Sequence, residues 1–147
     1  MKHACGITVG VFDLFHVGHL NLLERCKARC ERLVVAVCDD DYVRAVKHVE
    51  PVFPLEERMR ILRALRCVDE VVSATAAETT DKFRLREKCP FDVLFSGDDW
   101  KGSERYRQTE VAFAAVGIAV EYLPYTHGVS TRAIKARLFG DSNGIAP

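Results

Sequence analysis

Two histidines stand three residues apart around a glycine, His16-Val17-Gly18-His19, shortly after an apolar run that ends at Gly10. Imidazole N–H groups donate to phosphoryl oxygens, and a glycine admits a ligand close to the backbone. A helix opening here adds free N–H groups and the positive end of its dipole. All three effects favour one anion. A lone histidine at this place would serve as well to cap or pack a helix start. The pair also suits zinc, but no third histidine or cysteine stands at short metal spacing, and the position after a strand favours phosphate.

Other segments carry chemistry of a similar kind. Gly97-Asp98-Asp99-Trp100 sets two carboxylates and the only tryptophan behind a second apolar run; it is either a turn over a sheet end or a place for Mg²⁺ or an acid/base pair. Gly128-Val129-Ser130-Thr131 opens the last helical stretch. Ser130 and Thr131 are ordinary N-caps there, or hydroxyls that join the dipole in holding triphosphate oxygens, with Arg132 and Lys135 adding charge. Arg58, among Glu56, Glu57 and Arg60, is explained by an i,i+4 ion pair, Arg66 by the dipole at a helix C-terminus, and Lys47 by simple solvation in a polar loop.

The elements that must bring these segments together alternate. Residues 5–10, 33–38, 70–73, 92–96 and 118–123 are short and apolar and predict strands. Between the first two, Leu20, Leu23, Cys26, Lys27 and Cys30 recur at helical spacing. Pro54 and two glutamates start a second helix with a stripe of Leu55, Met59, Leu62 and Leu65. Helices follow over 78–88, 104–116 and 130–138. Five strands and five helices in alternation predict an α/β fold, a Rossmann-like, doubly wound five-stranded parallel sheet with helices on both faces and right-handed crossovers. In such a sheet a ligand binds beyond the carboxyl ends of the strands. One domain is expected over 1–139, followed by a frayed tail over 140–147 rich in turn residues.

Composition narrows the partners. The 147 residues carry 21 Lys plus Arg against 21 Asp plus Glu, so the net charge is zero and the pI about 6.9. That balance lacks the footprint of a protein that grips nucleic acid through its phosphates, and small anionic ligands are expected instead. No apolar run approaches a bilayer span and the first residues lack a signal-peptide core, so a cytoplasmic protein with no membrane partner is expected. Its six cysteines then read as small, partly buried side chains in a reducing compartment.

Taken in order, residues 9–23, Glu57-Arg58, residues 66–71, 97–100 and 123–131 resemble the signature of the nucleotidyltransferase superfamily. Within it they are most similar to the cytidylyltransferases, and especially to the glycerol-3-phosphate cytidylyltransferase family, over nearly the whole chain. The resemblance implies transfer of a nucleotidyl group from CTP to a phosphorylated alcohol, with Mg²⁺, release of pyrophosphate and no covalent enzyme intermediate, in a homodimer. It implies catalytic roles for His16, His19, Lys47 and Arg58. The nucleotide site would combine His16, His19 and Lys47 with Gly10, Val11, Phe12, Gly18, Asp98, Tyr125, Thr126, Gly128, Ser130, Thr131 and Arg132. Asp13, Arg66, Lys82 and Trp100 would face the acceptor, and the ligands of the metal are unknown. Three positions depart from the pattern: Val11 where Thr is frequent, Tyr125 where Arg is usual, and His127 in place of Glu. Residues 51–59 also resemble the adenylyltransferase part of heptose-activating enzymes, so ATP with a sugar phosphate such as heptose 1-phosphate is the alternative. A catalytically silent nucleotide-binding module is the alternative of a different class.

Overall fold

Residues 2–140 are described by the computed structural model, and their apolar runs form five parallel strands. These are β1 (His3–Gly10), β2 (Cys30–Cys38), β3 (Glu70–Ala74), β4 (Val93–Gly97) and β5 (Ala119–Leu123), in the order β3-β2-β1-β4-β5. Val34 to Val37 are fully buried on both faces of the interior strand β2, which is why that strand reads as an unbroken apolar run. A leucine, two valines and a phenylalanine of one face, Leu33, Val35, Val37 and Phe95, pack under Leu23 and Cys26 of α1 (Val17–Lys27) and Met59 and Leu62 of α3 (Leu55–Arg63). On the other face, Ile7, Val34, Ala36 and Leu94 meet Leu85 of α5 (Lys82–Lys88) and Tyr106 and Phe113 of α6 (Glu104–Ala114). Register pairs Thr8 of β1 with Phe95 of β4, so the carboxyl ends of these two strands lie side by side where the strand order reverses. A crevice is expected there. No helix among the described residues is long and apolar enough to cross a membrane.

Several elements differ from the sequence-based expectation. Helix α1 ends at Lys27, and Cys30 is the first residue of β2, not part of the helical stripe. The single helix expected over 78–88 is two: α4 (Ala76–Thr80), with a Thr75–Glu78 capping box, and α5, capped by Asp81 in extended conformation. Thr79-Thr80-Asp81 supplies the break, since β-branched residues and an aspartate that bonds its own local backbone weaken a helix interior. Lys47 is not in a loop. Asp39 caps α2 (Asp40–Tyr42), and a π-helical turn, Val43–Lys47, continues it up to His48, which is left-handed at φ 58°. The last helix, α7 (Thr131–Phe139), ends at Gly140, and the rest of the tail expected over 140–147 lies outside the described residues.

One side chain ties these pieces together. Arg58 is 0% exposed. Its Nε donates to Phe53 O (2.9 Å), Nη1 to the carbonyls of Val11 and Cys38 (both 2.8 Å), and Nη2 to Asp40 Oδ1 (2.5 Å). A single guanidinium thus joins the ends of β1 and β2, α2 and the entry to α3. The catalytic role expected for Arg58 is corrected accordingly: four of its five N–H groups are spent on the protein and the side chain is fully buried, and its ion pair is with Asp40, not with a helical neighbour. Removing one partner of a buried, hydrogen-bonded pair costs about 3–5 kcal/mol. Arg58→Leu is therefore expected to lower the unfolding free energy by about that amount in urea titration, and a loss near zero would contradict the assignment.

Candidate active site

The site begins where β1 gives way to α1. After Gly10 the chain passes through two left-handed residues that are not glycine, Phe12 at φ 55° and Leu14 at φ 48°. Such conformations cost on the order of 1–3 kcal/mol each and persist only where the surroundings enforce them. Here the Phe12 ring is buried in the core. Between the two, the Asp13 carboxylate accepts three backbone N–H groups, from Leu14 (3.0 Å), Val52 (2.7 Å) and Phe53 (2.9 Å). Asp13 lines the site but spends its charge on holding the loop, which differs from the acceptor contact expected of it.

This loop delivers His16 as the N-cap of α1. Its Nδ1 accepts the Gly18 N–H (3.0 Å), while Nδ1 of His19 accepts the His16 N–H (3.2 Å), a capping box built from two imidazoles. With both Nδ1 atoms engaged as acceptors, each neutral ring carries its proton on Nε2. The rings stack with centroids 3.8 Å apart. Phe15 stacks on His19 at 5.3 Å and Phe12 meets its ring edgewise at 5.4 Å. Burial pushes the His19 pKa down to about 3, helped by neighbouring His16, and burial lowers that of His16 too. The result is a pair of uncharged N–H donors at neutral pH. Gly18 is explained by this packing: a Cβ there would lie 2.8 Å from Cε1 of His16 and 3.1 Å from Cγ1 of Val129. Its space is taken by the protein's own ring as well as left to a ligand.

A cavity of about 370 Å³ opens over the ends of β1 and β4. Both histidines line it, with Gly10, Val11, Phe12, Gly18, Lys47, Trp100, Tyr125, Thr126, Ser130, Thr131 and Arg132, all expected there. At the start of α7, Ser130 Oγ accepts the Ala133 N–H (2.9 Å) and Thr131 Oγ1 donates to the Asp13 carbonyl (2.8 Å). The Thr131 O–H is thereby spent while the Ser130 O–H stays free to donate, so α7 offers an anion that hydroxyl, its backbone N–H groups and its dipole, with Arg132 and Lys135. Asn21 Nδ2 to Thr126 Oγ1 (3.4 Å) and Arg25 Nη1 to Pro124 O (3.0 Å) fasten the segment after β5 to α1.

Other expected residues stand elsewhere. Asp98 is not on the wall; Oδ1 accepts the Tyr125 N–H (3.2 Å), and its neighbour Asp99 faces the cavity instead. Gly128 supplies a left-handed turn at φ 86° without lining the site. Arg66 is exposed in the connection that leads into β3, at the amino end of the sheet and away from the cavity. Lys82 is buried, with Nζ donating to Thr79 O (2.8 Å), and burial beside Arg105 pushes its pKa down to about 8. Sequence reasoning gave no sign that Val43, Val49 or Ser96 would be part of the wall. Asp13 and Asp99 are the cavity's carboxylates, and no three His, Cys, Asp or Glu among the described residues stand together as a metal cage. A Mg²⁺ ion, which usually binds through one or two carboxylates plus substrate phosphates, fits this set at Asp99.

Paired neutral donors, a helix N-terminus and three cations around one cleft make a site for phosphoryl chemistry. The chain belongs to the cytidylyltransferase-like family, whose pattern matches residues 7–137, and is thus a nucleotidyltransferase. Glycerol-3-phosphate cytidylyltransferase of Bacillus subtilis is 36% identical over 134 residues, covering 91% of this chain and 96% of that protein. FAD synthase of Thermococcus onnurineus is 37% identical, over 80% of this chain and 77% of that one. The bifunctional protein HldE of Halorhodospira halophila is 44% identical over 90% of this chain, which spans only 27% of HldE. The crystal structure of a lipopolysaccharide core biosynthesis protein from Thermoplasma volcanium has the same fold, with a TM-score of 0.68 at 24% identity over 85% of this chain and 98% of that one.

The tautomers are open to direct test. Long-range ¹H–¹⁵N spectra are expected to show protonated Nε2 and bare Nδ1 for both histidines at pH 7, with His19 still neutral at pH 5. A His19 that gains its proton near pH 6.5 would contradict the geometry.

Proposed function

We propose that the chain transfers a cytidylyl group from CTP to a phosphorylated alcohol of the glycerol 3-phosphate kind, releasing pyrophosphate. The observation that carries this reading is the pair of Nε2–H donors opening on the same cavity as Lys47 and the start of α7. A phosphate oxygen of the acceptor attacks the α-phosphorus in line; the bond to the β-phosphate oxygen breaks, and its electron pair leaves with pyrophosphate. Negative charge builds on the nonbridging α-oxygens, where fixed donors act without reorganising. One such donor is typically worth about 10²–10³ in rate. Neutral imidazoles suit the task because they stabilise charge without giving up a proton. Arg132, Lys135 and the α7 N-terminus hold the departing phosphates, and Lys47 sits between the acceptor and the α-phosphate. When bound, Mg²⁺ supplies further neutralisation of the triphosphate, with Asp99 to hold it.

Coverage supports CTP and a polyol phosphate, since the match to the B. subtilis cytidylyltransferase runs through 96% of that protein. Arg132 on the cavity wall offsets the missing arginine at Tyr125. Adenylyl transfer to a sugar phosphate is the second reading, favoured by the likeness of residues 51–59 to heptose-activating enzymes. That segment, however, is used for support: Val52 and Phe53 donate to Asp13, and Phe53 accepts from Arg58. Likeness there follows the scaffold more than the base. With Mg²⁺, pyrophosphate release is expected to have a kcat/KM at least about tenfold higher for CTP with glycerol 3-phosphate than for ATP with heptose 1-phosphate, a discrimination of roughly 1.4 kcal/mol. The reverse ratio would establish the second reading, and no release from any pair would leave a binding module.

A further inference from the structure

The stretch that carries Lys47 is held by very little. Among the described residues, Arg44 to Pro51 makes no hydrogen bonds outside its own π-turn except those of Arg44 with Asp41 and Glu50. Val49 packs against the small cluster of Cys38, Tyr42 and Val43, and residues 44–48 are exposed. Arg44 Nε donates to both carboxylate oxygens of Glu50 (2.7 and 2.8 Å), and Nη1 donates to Asp41 Oδ1 (3.2 Å). An exposed ion pair of this kind adds little to stability. This one, however, closes the loop 44–50 and cuts down the conformations open to it.

Inside the closed loop the backbone takes two uncommon forms in succession. Val43–Lys47 is a π-turn, and His48 beside it is left-handed at φ 58°. Single π-turns are rare and gather at functional sites, and a left-handed residue other than glycine persists only where its surroundings enforce it. Lys47 stands at the junction. It lines the cavity, and among the described residues its ammonium has neither a hydrogen bond nor an ion pair. With no partner to fix the side chain, the backbone at 47–48 decides where the ammonium reaches. Arg44 and Glu50 hold that backbone from either side.

We propose that Arg44, through Glu50 and Asp41, is a positioning residue for Lys47: the strap keeps the π-turn and the left-handed His48 in the arrangement that aims the ammonium into the cavity. This rests on the transferase reading above, in which Lys47 sits between the acceptor and the α-phosphate. A cation aimed before the reaction begins stabilises developing charge without a cost in ordering, so its displacement tells on turnover more than on nucleotide binding.

Arg44→Gln is expected to lower kcat for CTP with glycerol 3-phosphate about tenfold, with KM for CTP within about twofold and the urea midpoint unchanged. Arg44→Lys should recover part of the loss. Added to Lys47→Met, Arg44→Gln should cost less than about twofold more, since the strap acts through a side chain no longer there. A kcat for Arg44→Gln within about twofold of wild type, or losses that multiply in the double variant, would overturn the assignment. A second measurement does not depend on turnover: saturating CTP should protect Lys47 from acetic anhydride, mapped by peptide mass spectrometry on the full chain, and Arg44→Gln should abolish the protection. That result without turnover of any substrate pair would retain the strap and reject the cytidylyl reading. Equal labelling of Lys47 in the two proteins with CTP present would reject the strap.

Discussion

Two ring nitrogens that accept two backbone N–H groups at the start of α1 decide what this protein can do. Because Nδ1 of His16 and Nδ1 of His19 are taken by the backbone, Nε2–H is the only group each ring can offer a ligand. Because burial lowers the pKa of both rings, neither carries charge at neutral pH. The pair is therefore poor at proton exchange and good at holding an oxyanion. Phosphoryl transfer, in which positioning and charge stabilisation dominate, asks for just that.

Keeping the donors in place takes much of the surrounding structure. The turn that leads to His16 holds Phe12 and Leu14 in a left-handed conformation, and the compensation lies in the Asp13 carboxylate and the buried Phe12 ring. Asp13 in turn grips the 52–53 backbone, and Arg58 grips the same segment from the other side. The most costly buried charges thus act as scaffold, one step removed from the chemistry. Overall neutrality conceals a local imbalance. The cavity wall presents Lys47, Arg132 and Lys135, while one of its two carboxylates is consumed by backbone donors. A cleft with this surplus attracts a polyanion even though the molecule as a whole does not.

The fold was legible because β-strands buried on both faces leave continuous apolar runs, and the strands found here overlap those read from 5–10, 33–38, 70–73, 92–96 and 118–123. The His-x-Gly-His segment and the Ser130-Thr131 helix start were legible because caps and anion sites draw on the same residue types. What escaped depends on tertiary contact. Glu56-Glu57-Arg58-Met59-Arg60 has the look of a solvated helix, and nothing local reveals that its middle arginine points inward. Which of Asp98 and Asp99 faces the cavity is set by a 3₁₀ turn over Asp98–Trp100 that neighbouring carboxylates cannot announce. The helix around Lys47 was within reach: Asp39 before Asp40 and Asp41 is an acidic N-terminus. Arg66 was as well, since a residue that leads into a strand lies at the end of a parallel sheet away from the ligand.

The central claim is that the imidazoles act on the transition state more than on the bound nucleotide. His16→Asn tests it most directly, since asparagine keeps an N-cap acceptor for α1 while removing the Nε2–H donor. Single-turnover kinetics with CTP and glycerol 3-phosphate, paired with nucleotide binding by calorimetry, should show the chemical step slowed by about 10²–10³ with Kd changed less than about threefold. Equal losses in binding and in rate, or no loss in rate, would contradict the account.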